Sequence, residues 1–318
     1  MSDVVVLEDL SAEDIREAGR LADAALAADG RSPLSEQSRL LLRGGRREGV
    51  RHLLLRRDGV MVGYALLDGT DPIEAASAEM VVHPDHRGRG YGRQLGEALL
   101  AESGRRLRVW AHGGHPAARH LAQALGMVLF RELRQLRRPL GDLRADGPRL
   151  PEGVRLRTFE PGRDEEPWLA LNAAAFAHHP EQGGLTRRDL DARMGEPWFD
   201  PAGFFLAVRD RDTTGGPTGE PVQGAGTDDA EELLGFHWTK VHPAEGLGEV
   251  YVLGVAPGAQ HLGLGRALTA VGLEHLARRR DLAHAMLYVD ADNTPALRLY
   301  ERLGFRTFEV DLMYRTES

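Results

Sequence analysis

Two stretches far apart in the 318-residue chain, VHPDHRGRGYGRQL (82–95) and VAPGAQHLGLGRAL (255–268), match position by position. Pro84 and Pro257, Arg87 and Gln260, Gly90 and Gly263, Gly92 and Gly265, Arg93 and Arg266, and Leu95 and Leu268 fall at one constant offset. An internal repeat of this kind constrains the fold more than any single motif, because each copy has to build the same supersecondary unit. The match extends outward. Gly63-Tyr64 in VMVGYALL corresponds to Gly235-Phe236 in LLGFHWTKV, each inside an alternating apolar run that reads as a strand. The copies also open alike. VVVLEDLSAEDIREAGRLADAAL (4–26) predicts a short strand, a Ser11 helix cap with Asp14 three residues on, and an amphipathic helix. VRLRTFEPGRDEEPWLALNAAAF (154–176) repeats that order. The expected organisation is therefore two α/β domains, 1–140 and 154–318. Between them, 141–153 lies in a Pro-, Gly- and charge-rich stretch and reads as a linker. A Gly-, Thr-, Pro- and Asp-rich segment at 212–232 reads as a flexible hairpin extension with no chemistry of its own.

Composition removes several function classes. With 42% hydrophobic residues the chain can bury a large core, and no apolar run is long enough to cross a bilayer. Neither a secretory leader nor a membrane partner is expected, and the cytoplasm is the expected compartment, with a monomer acting there. A net charge of -8 disfavours nucleic acid as the main partner and favours a small molecule. The chain contains no cysteine, so disulfides, thiolate metal sites and cysteine nucleophiles are excluded. His178-His179, and His112 with His115, lack convincing partner ligands, so no metal is expected. Lys240 is the only lysine in a chain whose other basic residues are arginines, which singles it out.

In each copy a strand leads into a glycine-rich turn and then a helix. Glycines there let backbone N–H groups approach an anion, and the helix dipole adds to the attraction, so the turn suits a pyrophosphate. An isolated turn of this composition could equally be a plain helix start; two copies with the same flanks favour the ligand. The turns are neither a P-loop, which needs a lysine at a position where the chain has none, nor a GxGxxG dinucleotide turn. The pattern Arg87-Gly88-Arg89-Gly90-Tyr91-Gly92, repeated as Gln260-His261-Leu262-Gly263-Leu264-Gly265, resembles the acyl-CoA pyrophosphate loop of the GNAT N-acetyltransferases. YVDADNTPALRLYERLGF (288–305) resembles that family's second signature through Asn293, Ala296, Tyr300, Gly304 and Phe305. The resemblance covers both halves. It implies tandem domains, each a mixed, mostly antiparallel sheet flanked by helices, and one acetyl-CoA site in each. The implied acetyl-CoA contacts are Met80, Val81, Val82, Arg87, Gly88, Arg89, Gly90, Tyr91, Gly92 and Arg93 in the first copy. In the second they are Leu253, Gly254, Val255, Gln260, His261, Leu262, Gly263, Leu264, Gly265, Arg266, Asn293, Thr294, Pro295, Ala296, Leu297 and Arg298.

The copies differ where chemistry would occur. Amine acetylation needs a base for the amine, a donor for the thioester oxyanion and a proton for the leaving thiolate. Glu249 is a candidate base, Tyr300 a candidate acid, and Gly254 a candidate bulge freeing an amide near Leu253–Val255. On residue type alone, Glu249 could equally be an exposed strand-end carboxylate and Tyr300 a packing residue. In the first copy the sequence puts Ala76 at the place of Glu249, Ala122 at that of Tyr300 and His115 at that of Asn293. Acetyl-CoA binding without turnover is therefore expected there. Without cysteine, direct transfer in a ternary complex is expected. SPLSEQ, AFAHHPEQGG, GFHWTK and GEVYVLGV resemble one actinobacterial tandem branch of the family. That branch acetylates the cysteinyl amine of 1-D-myo-inositol 2-(L-cysteinylamino)-2-deoxy-α-D-glucopyranoside, a thiol sugar. The resemblance implies substrate contacts from Glu36, Glu181, Lys240, Glu249 and Tyr288. Other amine acceptors, or a non-catalytic acyl-CoA module, remain as alternatives.

Overall fold

Alternation along the strands sets each sheet, as the sequence predicts. The computed structural model describes residues 4–71, 73–141, 149–177, 180–210, 231–279 and 281–317, with the side chains of Pro180 and Glu181 outside that description. The described residues form two compact units. One comprises Met1–Gln135, Val289–Thr294 and Thr307–Ser318, and the other Leu136–Tyr288 and Pro295–Arg306.

The first unit contains β1 (Val4–Leu7), α1 (Ala12–Asp29), α2 (Glu36–Arg43), β2 (Val50–Arg57) and β3 (Val60–Asp68). After these come β4 (Ala76–Val82), α3 (Tyr91–Glu102), β5 (Leu107–Ala111), α4 (Pro116–Ala124) and the start of β6 (Met127–Pro139). β1 through β4 pair antiparallel in sequence order, and β4 pairs parallel with β5. In β2, Leu53 and Leu55 turn to a cluster containing Leu95 and Leu99 of α3, while Leu54 turns to Ala18, Leu21 and Ala25 of α1. That two-residue period buries the sheet on both faces. Each leucine fully withdrawn from water in this way contributes about 1.5–3 kcal/mol. The capping box expected at α1 is present: the Asp14 amide donates to the Ser11 hydroxyl, and the Ser11 amide to the Asp14 carboxylate.

The second unit contains β7 (Val154–Thr158), α5 (Glu165–Ala175), α6 (Pro180–Gly183), α7 (Arg187–Met194), β8 (Phe204–Asp210) and β9 (Glu231–His242). It continues with β10 (Leu247–Val255), α8 (Leu264–Ala277), β11 (His284–Asp290) as far as Tyr288, and α9 (Thr294–Arg302) from Pro295. β7 through β10 pair antiparallel and β10 pairs parallel with β11, the same order as in the first unit. Its core is aromatic. Trp168 of α5 meets Phe204, Phe236 and Trp238 edge-on, with ring centroids 5.6, 5.4 and 5.7 Å away. Most of the 212–232 segment lies outside the described residues. Glu231 and Glu232, which the sequence pattern places in it, instead open β9, and Glu231 joins Asp164 in holding the Arg157 guanidinium. Their register opposite β8 supplies the reason.

The sequence puts the second copy at 154–318, whereas Val289–Thr294 and Thr307–Ser318 pack with the first unit. There β12 (Arg306–Thr316) pairs antiparallel with β5, Leu312 opposite Ala111 and Arg315 opposite Arg108.

The two copies share one helix seat. A Cβ on Gly63 would come within 2.9 Å of Leu95 Cδ1, and one on Gly235 within 3.0 Å of Leu268 Cδ1. Glycine at both places lets the helix after each turn settle directly on its strand.

Candidate active site

Both glycine-rich turns take the same backbone path. Gly88 and Gly90 have φ of 73° and 82°, and their counterparts His261 and Gly263 have 69° and 81°. Gly90 caps α3 and Gly263 caps α8, neither with a side-chain hydrogen bond. Helix-terminal amides left uncapped in this way are what an anion recognises. Just before each turn the two parallel strands part. β4 is registered with β5 only over Ala76–Ala78, and β10 with β11 over Leu247–Val250, although all four strands continue beyond. A wedge opens there between the strand ends, and Met80–Val82 and Leu253–Val255 run along it.

The strands carrying these residues differ by one residue. β9 and β10 pair in register from Leu247 to Val250 and again from Val252 to Val255, with Tyr251 as the extra residue of a bulge. The sequence placed the bulge at Gly254; Gly254 instead pairs regularly with Phe236. The insertion changes which residue answers to Glu249. Glu249 stands opposite Lys240, and the same rung of the first sheet holds Ser77 opposite Asp68. The counterpart of Glu249 is thus Ser77, not Ala76, because the offset measured at the turn breaks at the bulge.

Glu249 is buried, 6% exposed, which removes the reading as an exposed strand-end charge. Its Oε2 lies 2.7 Å from Nε2 of His242, which shares the β9 face of Lys240 two residues along. Lys240 is buried too, its ammonium 4.5 Å from the ring centre of Trp198 and 5.0 Å from that of Tyr251. Cation–π contacts of this kind hold a desolvated ammonium in place. Sequence reasoning missed His242, though the two-residue strand period puts it on the face of Lys240.

Tyr300 sits in α9, packed edge-on against Phe305 at 5.7 Å, and burial pushes its phenol up to about 12. Pro295, Ala296, Leu297 and Arg298 form the first turns of the same helix, and Thr294 begins it. Asn293 precedes it, its amide donating to the Asp290 carbonyl at 3.1 Å. Gln260 ends the 3-10 turn before the loop, Leu262 is exposed, and Leu264, Gly265 and Arg266 open α8. Tyr288 lies near the end of β11, 42% exposed, and Glu36 is the first residue of α2. Glu181 falls in α6, its side chain outside the described residues, as are His178 and His179.

The first unit holds a cavity of about 560 Å³ lined by Met80, Val81, Val82, Arg87, Gly88 and Gly90–Arg93. Arg89, also expected as a contact, is absent from that lining. Arg87 is tied by both terminal nitrogens to the Asp29 carboxylate at 2.7 Å, so it braces the turn against the end of α1. Farther along the cavity stands a buried charge cluster that the sequence did not reveal. His112 lies 3.3 Å from Glu79 and 3.3 Å from Asp311. Amides complete it, Ser35 donating to Glu79 and Gly113 to Asp311, each at 2.6 Å. Burial alone would lower the imidazolium's pKa, but the two carboxylates outweigh it and raise it to about 10. Burial alone would raise the Glu79 carboxyl; His112 and Ser35 hold it below its ordinary range instead. His115 caps α4, accepting from the Ala117 amide, and Ala122 is buried in that helix.

The acetyltransferase (GNAT) family model matches residues 20–127 and 175–305. Mycothiol acetyltransferase of Streptomyces avermitilis is 64% identical over 298 residues, covering 94% of this chain and 90% of that protein. The protein of the same name from Streptomyces coelicolor is 61% identical over 316 residues, covering 99% and 96%. Among solved structures, a tandem GNAT protein of the clavulanic acid biosynthesis pathway superposes with a TM-score of 0.66 at 21% identity, covering 98% of this chain and 97% of that one. A GCN5-related N-acetyltransferase from Sphaerobacter thermophilus gives 0.63 at 23%, covering 100% and 96%. At those identities the structural likeness speaks for the fold.

Proposed function

Because the chain belongs to the acetyltransferase (GNAT) family, we propose that it moves the acetyl group of acetyl-CoA to the cysteinyl amine of 1-D-myo-inositol 2-(L-cysteinylamino)-2-deoxy-α-D-glucopyranoside, the last step of mycothiol biosynthesis. One observation carries the reading: Glu249 is buried on the strand that runs into the second pyrophosphate turn, in a chain 64% identical to a mycothiol acetyltransferase over nearly its whole length. Glu249 accepts the proton of the attacking amine, directly or through a water. Backbone amides of Leu253–Val255, on the strand past its parting from β11, donate to the thioester oxygen as it gains charge. Tyr300, a phenol that holds its proton at neutral pH, offers that proton to the sulfur as the thiolate leaves. With no cysteine to carry an acyl group, direct transfer in a ternary complex is preferred over a cysteinyl acyl-enzyme. Glu36, Glu181, Lys240 and Tyr288 supply contacts to the thiol sugar. The compartment this reading implies is the cytoplasm, where acetyl-CoA is made and used.

We further infer that the first unit holds a second acetyl-CoA without turning it over. Its turn has the backbone path of the other and borders a cavity, yet Ser77 and Ala122 stand where Glu249 and Tyr300 stand in the second unit. The experiment is to mix protein, acetyl-CoA and the thiol sugar and to follow free coenzyme A and acetylated product. Turnover is expected in the wild type, with kcat lowered about 10²-fold by Glu249→Gln and by Tyr300→Phe. Turnover only on other amines would refute the substrate. Wild-type rates in both variants would refute the roles. Calorimetric titration with acetyl-CoA is expected to give two equivalents per chain, and one equivalent would refute the second site.

A further inference from the structure

We propose that His242 is the positioning residue of the active-site base, fixing one oxygen of Glu249 so that the other faces the amine. The proposal rests on the reading of Glu249 as that base.

A carboxylate only accepts hydrogen bonds, so the ring nitrogen 2.7 Å from Oε2 is the one that carries a proton and donates it. The last torsion of a glutamate is broad and roughly two-fold, and a buried carboxylate without a fixed partner spreads over that range. A donor on Oε2 removes this freedom and leaves Oε1 as the oxygen that meets the substrate nitrogen. Position decides reactivity at this scale, because misplacing a reacting group by about 1 Å can cost on the order of 10²-fold in rate.

The contact has no evident work to do in the fold. The β9–β10 ladder already pairs Leu247 with His242 and Glu249 with Lys240 through the backbone, so the two strands are joined without the imidazole. His242 precedes the 3-10 turn Pro243–Glu245 but caps it with no side-chain hydrogen bond. Exposure differs across the pair as the role requires. The Glu249 side chain is 8% exposed and that of His242 22%, so the base is enclosed and its holder reaches the edge of the site. Lys240, the charged residue opposite Glu249, is occupied by the faces of Trp198 and Tyr251. Tyr251 is also the bulge residue and receives a hydrogen bond from Arg193 Nε at 2.8 Å. The bulge thus sets the cage around Lys240, and the diagonal neighbour His242 sets the carboxylate.

The test is a double-mutant cycle on the full-length protein, with acetyl-CoA and the thiol sugar as substrates. His242→Phe keeps the ring and loses the donor; His242→Gln keeps an N–H near the place of Nε2. His242→Phe is expected to lower kcat about tenfold while leaving KM for acetyl-CoA within twofold of wild type, and His242→Gln to recover most of the loss. Added to Glu249→Gln, His242→Phe is expected to cost less than twofold more, since a residue that acts through Glu249 has nothing left to act on. Melting midpoints and KM for acetyl-CoA report folding. If the phenylalanine variant does not fold, His242→Asn replaces it; its shorter side chain cannot reach and is expected to lose activity where glutamine keeps it. Three results overturn the proposal: equal losses from His242→Phe with and without Glu249→Gln, a glutamine variant no better than phenylalanine or asparagine, or wild-type kcat in Glu249→Gln. A wild type that ignores the thiol sugar is a different failure. It refutes the substrate reading, and with it His242 as an aid to that reaction.

Discussion

Replacing His112 with leucine tests whether the buried cluster of the first unit is held by charge. The substitution roughly conserves volume but removes the cation between Glu79 and Asp311, leaving two carboxylates buried at 5% and 8% exposure. Removing one member of a buried ion pair costs about 3–5 kcal/mol. The proton affinity of His112 gives a similar figure. Its pKa rises from 6.5 to about 10 on folding, and at about 1.4 kcal/mol per unit that places the cost at the upper end of the same range. For a unit of this size a loss of 1 kcal/mol lowers the melting midpoint by roughly 2–4 °C, so a drop on the order of 6–20 °C is expected. The pH dependence fixes the cause. His112 binds its proton more tightly in the folded than in the unfolded chain, so its contribution is full below about 6.5 and is lost as pH rises through about 10. The gap between wild type and His112→Leu is therefore wider near pH 6 than near pH 8 and closes toward pH 10. Scanning calorimetry across that range reads the gap. Amide hydrogen exchange on β5, which ends one residue before His112, and on β12, which carries Asp311, shows whether the loss is local. A midpoint within 2 °C of wild type, or a gap unchanged up to pH 10, would refute the electrostatic account.

Two glycines give further tests. At Gly263, φ of 81° with no atom within 4 Å of a built Cβ makes the cost of alanine a backbone cost alone, about 1–2 kcal/mol. Gly263→Ala is expected to raise KM for acetyl-CoA about 5- to 30-fold in steady-state kinetics, while Gly90→Ala in the first unit leaves that KM alone. Equal effects from the two would mean the first turn takes part in turnover. At Gly272 a Cβ would fall 1.9 Å from Cε1 of His237. His237 is fully buried, kept neutral because burial pushes it down to about 4, and bonded through Nδ1 to the Leu268 carbonyl at 2.6 Å. Gly272→Ala is expected to cost at least about 1–3 kcal/mol by overpacking, read as a lower melting midpoint. The first unit fills the matching place with Ala65 and Leu99, so the double change His237→Ala with Gly272→Leu is expected to restore much of the loss.

How far the sequence carried depended on whether a feature was local. The turns, the strand alternation and the Ser11 cap are written in residues a few positions apart, and each formed as expected. The bulge is different. Gly63 and Gly235 stand one residue out of step with the turn offset, a trace of the extra residue, but a hairpin between strands can absorb such a change, and only the rung pairing locates it at Tyr251. His242 was legible in principle from strand period, once Lys240 was suspected. The His112 cluster was not, since Asp311 lies 199 residues further along and no local pattern announces which strand will lie beside β5.

That distant strand has a consequence for how the protein is made. The first unit is complete only when β12 takes its place beside β5, and about 170 residues of the second unit and its connections must be synthesised in between. At roughly 5–20 residues per second, the ribosome needs on the order of ten to thirty seconds for that stretch. During that interval β5 offers an open edge of unpaired N–H and C=O groups, the kind that recruits other strands. The nascent chain is then most exposed to mispairing or to a chaperone, and a gene cut at the linker would deliver a first unit in that state permanently.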